Sequence, residues 1–245
     1  MENAVKKILV VSDNEFLIRA FHSLISAYPD VTVDYSCSPV NSTLLQNTSL
    51  PVAIHPLNIK EHWRQLDHDL ILSLHCKQLF PAGLVKKIRC INVHPGFNPY
   101  NRGWFPQVFS ILNKKKAGAT IHEIDEELDH GAIIAQKEVK IESWDTSLMA
   151  YEKIQGAEIE LLKENLETIL FHSYHPGLPT EEGNVNLKKD FNALCQIDLD
   201  KKVAMGEAID YLRAMTHGKY QNAYFIDKAT GKKVFVSIDL KKGEE

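Results

Sequence analysis

The stretch Lys7-Ile8-Leu9-Val10-Val11-Ser12-Asp13-Asn14 joins a continuous apolar run to three polar residues that favour the start of a helix. An apolar run of this length predicts a strand that is buried on both faces. Apolar residues then recur at helical spacing from Phe16 to Ile25, and residues 31–35 predict a second strand. This strand–helix–strand order predicts a right-handed crossover and a parallel sheet.

The same alternation continues along the chain. The patterns predict strands at 52–54, 70–74, 90–93, 119–123 and 132–141, and helices at 80–85, 106–113 and 147–171. The turn formers Pro176-Gly177-Leu178-Pro179 end the long helix, so we place a domain boundary near residue 180. Beyond it, residues 181–245 predict a small α+β subdomain with a helix at 203–215 and a hairpin formed by 223–226 and 233–238.

The first turn of this predicted sheet contains no glycine. Gly83 is the first glycine of the chain, so neither the Gly-x-Gly-x-x-Gly turn of dinucleotide-binding proteins nor a P-loop follows the first strand. A bound pyrophosphate needs such a turn, because glycine lets the protein backbone approach the phosphate groups closely. The site is therefore expected elsewhere along the carboxyl ends of the strands, at a point where the strand order reverses.

Composition and charge argue against several classes of partner. The net charge is −4, whereas a nucleic-acid surface normally shows a basic excess. No stretch approaches the roughly 20 apolar residues of a membrane span, and the N-terminal residues lack the apolar core of a signal peptide. The four cysteines form no Cys-x-x-Cys pair. We therefore expect reduced thiols and a cytoplasmic protein with no membrane or nucleic-acid partner.

Two polar side chains stand at the end of the strand predicted at 90–93. Asn92 and His94 are two residues apart, so their side chains point to the same side, and Pro95-Gly96 follows directly. An amide and an imidazole therefore meet at the carboxyl end of a strand. From spacing alone they are either a functional pair or loop residues that cap backbone groups.

Two further segments are candidates for a site. The loop at 97–106 carries Arg102 and Trp104, a composition found in binding loops and also in loops anchored by buried aromatics. The acidic segment 125–131 is either a solvated turn or a loop in which one carboxylate turns inward to act as a base or to orient a histidine. No metal site is expected, because His172 and His175 have no third ligand at the usual spacing.

The segment Asn92-Val93-His94-Pro95-Gly96, together with Leu128-Asp129-His130-Gly131, resembles the formyltetrahydrofolate-dependent transferases. The resemblance covers roughly residues 1–175 in element order. It implies a Rossmann-like α/β formyltransferase fold, in which a mostly parallel, mixed sheet is flanked by helices. Residues 1–180 would form the catalytic domain, and 181–245 would contribute dimerisation and nucleotide contacts.

The resemblance also implies the catalytic residues and the cosubstrate. Asn92, His94 and Asp129 would be catalytic, and which of His94 and Asp129 is the base stays open. The cosubstrate would be 10-formyltetrahydrofolate, with no metal. The residues implied to contact it are Leu79, Ile91, Asp125, Leu128 and Asp129.

One branch of the family fits better than the others. Gly96-Phe97-Asn98-Pro99 replaces the Ser-Leu-Leu-Pro type of segment common in the purine and tRNA enzymes, and residues 100–109 and 222–225 are similar to enzymes that formylate dTDP-linked 4-amino-4,6-dideoxy sugars. The acceptor would then be a dTDP-amino sugar used for O-antigen or other surface polysaccharide, and the enzyme a homodimer. Residues expected to bind the sugar nucleotide are Asn14, His75, Lys77, Arg102, Trp104, Gln107, Tyr220 and Tyr224.

Other functions remain open at this point. A UDP- or GDP-linked amino sugar, a purine precursor or methionyl-tRNA would be a different acceptor for the same chemistry. A folate-binding module without turnover is the alternative from another class of protein, although it would not need all three of Asn92, His94 and Asp129.

Overall fold

The structure is a computed structural model that describes residues 4–41 and 48–243. Its first eight strands are β1 (Lys7–Ser12), β2 (Thr32–Cys37), β3 (Val52–Ile54), β4 (Leu70–Leu74), β5 (Arg89–His94), β6 (Arg102–Gly103), β7 (Ala117–Glu123) and β8 (Ile133–Val139). Five more, in the C-terminal part, are β9 (Val185–Asn186), β10 (Thr216–His217), β11 (Tyr220–Gln221), β12 (Ala223–Ile226) and β13 (Lys233–Val236).

The helices lie between and after these strands. They are α1 (Glu15–Ile25), α2 (Lys60–Arg64), α3 (Ala82–Val85), α4 (Pro106–Asn113), α5 (Ser147–Leu170), α6 (Lys188–Leu194) and α7 (Met205–Met215), with a 3₁₀ turn at Pro39–Asn41. No helix of the described residues is both long and apolar enough to cross a membrane.

Seven strands form one mixed sheet in the order β3-β2-β1-β4-β5-β7-β8. The first five run parallel, whereas β7 pairs antiparallel with both β5 and β8. The predicted mostly parallel α/β fold is thereby confirmed. The chain builds outward from β1 to β3 and then returns to place β4 on the other side of β1, so the strand order reverses between β1 and β4.

The first turn is held by a carboxylate instead of glycine. Asn14 caps α1, because its side-chain oxygen accepts from the backbone N–H of Leu17. The carboxylate of Asp13 accepts from the backbone N–H groups of Ser38 (3.0 Å) and Lys77 (2.7 Å). It therefore ties together the chain segments that leave β1, β2 and β4, and it occupies backbone donors of the kind that bind phosphate in other α/β proteins.

Alternate residues of the buried strands face two different cores. One face packs against α1 and α5, with Phe21 and Leu162 fully buried, and the other packs around Trp63 of α2 and Leu84 of α3. Phe16 departs from the predicted apolar face of α1 and is 54% exposed. The reason is that the stripe facing the sheet runs through residues 17, 18, 21 and 25.

The C-terminal part packs on the main sheet domain through a third core. Val108 and Ile111 of α4 are buried together with Phe191, Met215 and Ala223. Strand β9 also pairs in parallel with β6. The predicted helix and hairpin are present with slightly shorter bounds, and the sequence patterns missed the short elements α2, α6, β6, β9, β10 and β11. The domain boundary near residue 180 stays a prediction.

Two glycines allow a test of the sheet packing. A Cβ at Gly118 in β7 would lie 2.1 Å from the backbone oxygen of Lys137 in β8, whereas a Cβ at Gly156 in α5 would meet nothing within 4 Å. We expect Gly118→Ala to lower the free energy of unfolding by about 1–3 kcal/mol or more. Gly156→Ala should raise it by about 0.5–1 kcal/mol, because the helix loses less backbone entropy. Urea denaturation measures both, and equal effects would contradict the β7–β8 packing.

Candidate active site

A cavity of about 900 Å³ opens at the carboxyl ends of β4 and β5. Its wall is formed by the segment after β4, the loop between β5 and α4, and the end of β7 with the acidic loop at 125–131 that follows it. Side chains from α4, α5 and the C-terminal part complete the wall. The position agrees with the place where the strand order reverses. Its size is that of a site for small organic ligands.

Asn92, His94 and Asp129 meet on the wall of this cavity. The amide nitrogen of Asn92 donates to Asp129 Oδ1 at 3.0 Å, and His94 Nδ1 lies 3.5 Å from Asp129 Oδ2. The backbone N–H of Gly103 donates to the same Oδ2 at 3.0 Å. Asp129 itself has a left-handed backbone, with φ 48°, which turns its carboxylate toward the strand end.

His122 is a fourth member of the cluster. It stands on β7 directly opposite Asn92, and the Asn92 amide nitrogen lies 3.2 Å from its Nε2. Its Nδ1 lies 2.7 Å from the backbone oxygen of Glu123, and because that oxygen can only accept, Nδ1 carries a proton. In the neutral ring Nε2 is then an acceptor for Asn92.

The ring of His94 is enclosed. It is 3% exposed, its Nε2 has no hydrogen-bond partner, and a Cβ at Gly96 would lie 2.5 Å from that nitrogen. Only a glycine leaves room for the imidazole in this position. Asp129 faces Nδ1, so Nε2 is the ring nitrogen left without a partner among the described residues.

The electrostatics of the pair favour a neutral imidazole beside an ionised carboxylate. Burial lowers the pKa of His94 to about 4; Asp129 opposes this shift, and His122, His75 and Arg102 add to it. Burial acts to raise the pKa of Asp129, but His94, His122 and the N–H of Gly103 outweigh it, and the pKa lies well below its ordinary value. At neutral pH the site therefore holds one unprotonated base and one fixed negative charge.

Comparison with known proteins agrees with this geometry. A family model described as "Formyl transferase" matches residues 30–166, and one described as "N-formyltransferase dimerization C-terminal domain" matches residues 190–242. The chain belongs to the formyl transferase family. The enzyme class predicted from the sequence is thereby confirmed.

Individual relatives of this formyltransferase are similar over most of their length. A protein of Mycobacterium bovis named dTDP-4-amino-4,6-dideoxyglucose formyltransferase is 55% identical over 173 residues, which cover 71% of this chain and 74% of that protein. A solved sugar N-formyltransferase from a Shewanella species superimposes with a TM-score of 0.94 and 42% identity, covering 98% of this chain and 99% of the other. A 4-N formyltransferase from Francisella tularensis superimposes with a TM-score of 0.91 and 50% identity, covering 97% of this chain and 98% of the other.

Most of the residues expected to bind substrate or folate line the cavity of this formyltransferase. They come from the chain after β4, the start of α4, the acidic loop and the C-terminal part. They are His75, Lys77, Leu79, Trp104, Gln107, Asp125, Leu128 and Tyr220. Their individual roles stay predictions.

Four other expected residues do not line the cavity. Asn14 lies behind the wall and donates to the Tyr151 hydroxyl at 3.1 Å. Ile91 is fully buried in the sheet, and Arg102 is buried in β6 with Nε unpartnered. Tyr224 packs against Phe235 within the C-terminal hairpin.

The sequence patterns missed several wall residues of the formyltransferase. His122 was part of a predicted strand, but its position opposite Asn92 depends on an antiparallel register that no local pattern gives. Tyr151 lies within the long helix predicted at 147–171, and its hydroxyl takes part in a polar network that no local pattern indicates. Lys188, Phe191 and His217 lie beyond the predicted boundary and reach the cavity only through tertiary packing.

The lowered pKa of His94 makes a prediction about stability. In the unfolded chain His94 takes up a proton below about pH 6.5, whereas in the folded chain it stays neutral down to about pH 4. The free energy of unfolding therefore falls as the pH is lowered through this interval. At about 1.36 kcal/mol per pKa unit the loss approaches about 3 kcal/mol. We expect His94→Gln to remove this part of the acid sensitivity, as measured by urea denaturation from about pH 7 to about 4.5.

The exposed His62 on α2 provides the matched control. His62→Gln should retain the acid sensitivity attributed to His94, because it leaves His94 in place. An identical slope for His94→Gln and the parent protein would contradict a neutral, buried His94.

Proposed function

We propose that this formyltransferase moves the formyl group of 10-formyltetrahydrofolate onto the 4-amino group of a dTDP-linked 4-amino-4,6-dideoxyhexose. The observation that carries the proposal is the cluster of Asn92, His94 and Asp129 on a cavity large enough for an acceptor and a donor. The choice of acceptor is supported by the M. bovis relative, whose name gives dTDP-4-amino-4,6-dideoxyglucose as its substrate.

The geometry suits attack of an amine on a formyl carbon. The attack forms a tetrahedral intermediate with a developing oxyanion, which requires a hydrogen-bond donor, and the attacking nitrogen must lose a proton. His94 Nε2 is the free base nearest Asp129, and Asp129 would stabilise the imidazolium once it forms. Both amide hydrogens of Asn92 have partners within the chain, so one of them must turn toward the oxyanion when substrate binds.

A diphosphate needs cations in a protein of net charge −4. Among the described residues on the cavity wall, the Lys and Arg side chains are Lys77 and Lys188. Lys77 follows β4, and Lys188 lies across the cavity with its Nζ 5.4 Å from the centre of the Trp104 ring. We propose that these two lysines hold the diphosphate, with Trp104 and Tyr220 packing against the sugar and the base.

The folate is proposed to occupy the side of the cavity near the acidic loop. Leu79 and Leu128 offer apolar surface there, and Asp125 is fixed by a contact of 2.7 Å from its Oδ2 to Nδ1 of His130. A fixed carboxylate can accept from the donor groups of a pterin ring. Within the residues that the structure describes, no group of three or more His, Cys, Asp or Glu could hold a metal ion.

The reaction is tested by following release of tetrahydrofolate from 10-formyltetrahydrofolate with a panel of nucleotide-linked amino sugars. We expect release with dTDP-linked 4-amino-4,6-dideoxyhexoses. His94→Ala should lower kcat/KM by about 10²–10⁴-fold, because the base is lost. His62→Ala, an exposed histidine outside the cavity, should leave the rate unchanged.

The panel separates the alternatives. Release with UDP- or GDP-linked sugars but not with dTDP-linked ones would overturn the nucleotide assignment. Release that needs a purine precursor or methionyl-tRNA would move the enzyme to another branch of the family. Formylation at an undiminished rate by the His94→Ala variant would remove His94 from its role.

We also propose a homodimer formed through the C-terminal hairpin. Three apolar side chains of this hairpin, Ile226, Val234 and Phe235, are between 38% and 45% exposed. Strands β12 and β13 form a sheet of only two strands, and such edges are usually paired or covered. The dimerization domain model that matches residues 190–242 supports this surface.

Light scattering should give about twice the mass of one chain. Phe235→Asp places a charge in the proposed interface and should shift the mass toward a single chain. Val40→Asp alters a more exposed apolar residue far along the chain from the hairpin and should keep the dimer. A monomer for the parent protein, or a dimer for Phe235→Asp, would contradict this interface.

We further propose that the reaction takes place in the cytoplasm and that its product is used for O-antigen or another surface polysaccharide. The four cysteines are free thiols, which supports a reducing compartment.

A further inference from the structure

A second polar cluster lies beside the one already described, and its centre is the carboxyl group of Glu158. This residue is in the middle of α5 and is 0% exposed. Its Oε1 lies 2.7 Å from His75 Nε2, and its Oε2 is buried with no partner. Within the described part of the chain no Lys or Arg pairs with it. A buried carboxylate with so little compensation is costly for stability, so its presence points to a role in the chemistry.

The hydrogen bonds around His75 fix which of its nitrogens carries the proton. The side-chain oxygen of Asn14 accepts from Leu17 N, so its amide nitrogen must face the other way. That nitrogen lies 3.2 Å from His75 Nδ1 and 3.1 Å from the Tyr151 hydroxyl. Because the amide nitrogen only donates, Nδ1 is an acceptor, and Nε2 carries the proton that is donated to Glu158.

This arrangement connects the buried carboxylate to the cavity. The Tyr151 hydroxyl lies 3.1 Å from His75 Nδ1, and both side chains line the cavity. His75 holds a left-handed backbone conformation, with φ 58°, which is unfavourable for a residue with a Cβ. This strained residue connects the ends of β1 and β4 to the middle of α5, at the place where an open α/β sheet binds its ligand.

The proposed reaction must dispose of two protons. An aliphatic amine is mostly an ammonium ion at neutral pH, and it has to lose one proton before it can attack. The nitrogen of the tetrahedral intermediate then loses a second. With a pKa of about 4, His94 is too weak a base to deprotonate a free ammonium ion, but it can take the far more acidic proton of the intermediate and return it to the departing nitrogen of tetrahydrofolate.

We propose that Tyr151, His75 and Glu158 form a proton-accepting chain that deprotonates the ammonium group of the acceptor before it attacks the formyl carbon. The proposal rests on the amine-formylating function given above. Tyr151 would touch the substrate and is the catalytic residue of the chain. His75 is the proton acceptor behind it, and Glu158 is a positioning residue that acts through His75.

The proton transfer balances without a further reactant. The ammonium nitrogen gives a proton to the Tyr151 oxygen while the hydroxyl proton of Tyr151 moves to His75 Nδ1. The result is a neutral amine, an unchanged tyrosine and an imidazolium. Its Nε2–H still donates to the Glu158 carboxylate, and its Nδ1–H now donates to the Tyr151 oxygen in place of the hydrogen bond accepted from Asn14. The proton returns to solvent through Tyr151 after the product leaves.

The position of Glu158 favours this transfer. A proton that reaches His75 lies beside a buried carboxyl group whose other oxygen has no partner. Burial raises the pKa of Glu158, while His75 acts against that shift, as expected for a carboxylate that gains from a protonated partner. Three other titratable groups face Tyr151 or His75. They are His217 and Tyr220 from the C-terminal part and His94 across the cavity.

The test compares Tyr151→Phe and Glu158→Gln with the parent enzyme in the tetrahydrofolate-release assay from about pH 6.5 to about 9. We expect each variant to lower kcat/KM by about tenfold or more at pH 7. The deficit should shrink toward pH 9, where solution supplies the free amine directly. A merely structural defect would lower the rate by the same factor at every pH.

Two controls match these substitutions. Glu160→Gln changes an exposed carboxylate on the same helix that pairs with Lys137, and Tyr100→Phe removes a hydroxyl that contacts Glu181 outside the cavity. Both should retain the parent rate across the pH range. Thermal unfolding of all four variants verifies that they fold.

Two results would overturn the proposed proton-accepting chain. One is a kcat/KM within about twofold of the parent value for both Tyr151→Phe and Glu158→Gln. The other is a loss of kcat/KM that is the same at every pH. The rate of the parent enzyme with each acceptor is measured first in the same assay, so a wrong choice of acceptor is distinguished from a failure of the proton-accepting chain. If another amine in the panel is the one formylated, the same variants are compared on that amine. If no amine is formylated, both the proposed function and the proposed proton-accepting chain are rejected.

Discussion

The carboxylate of Asp129 is the interaction around which the site is organised. A buried negative charge is tolerated only where hydrogen-bond donors or positive groups surround it. Here the surrounding groups come from three separate segments: the Asn92 amide and His94 on β5, the backbone N–H of Gly103 on β6, and the His122 ring on β7, whose Nε2 lies 3.7 Å from Oδ1. The charge therefore fixes the distance between the sheet, the loop before α4 and the acidic loop, and it sets the orientation of the imidazole that faces the cavity.

A second carboxylate organises the neighbouring strand ends in a similar way. Asp13 accepts from backbone N–H groups that follow β2 and β4, and this contact holds the glycine-free turn after β1. The backbone donors that bind a cofactor phosphate in many α/β proteins are here used internally. In the proposed function a ligand diphosphate is held by side chains instead, those of Lys77 and Lys188.

The two histidine–carboxylate pairs on the cavity differ in a way that matters for proton transfer. Hydrogen-bond donors and His94 stabilise the charge of Asp129, while burial lowers the pKa of His94 and keeps it neutral. Glu158 has His75 as its partner and an oxygen with none, so the pair gains by taking up a proton. One cavity thus contains two histidine–carboxylate pairs, and the proposed amine formylation has a separate use for each.

The sequence by itself determined the elements and the chemistry that is local. The apolar run of β1, the cap at Asn14 and the spacing of Asn92 and His94 depend on neighbours a few residues away. Their patterns predicted the fold class and made this strand end a candidate site, and the resemblance to a known family chose it. The placement of His122 opposite Asn92, of Glu158 behind His75 and of Lys188 on the cavity wall was decided only by the tertiary structure. These contacts join residues that are 30 to more than 80 positions apart, and strand register and helix packing, which no local pattern encodes, bring them together.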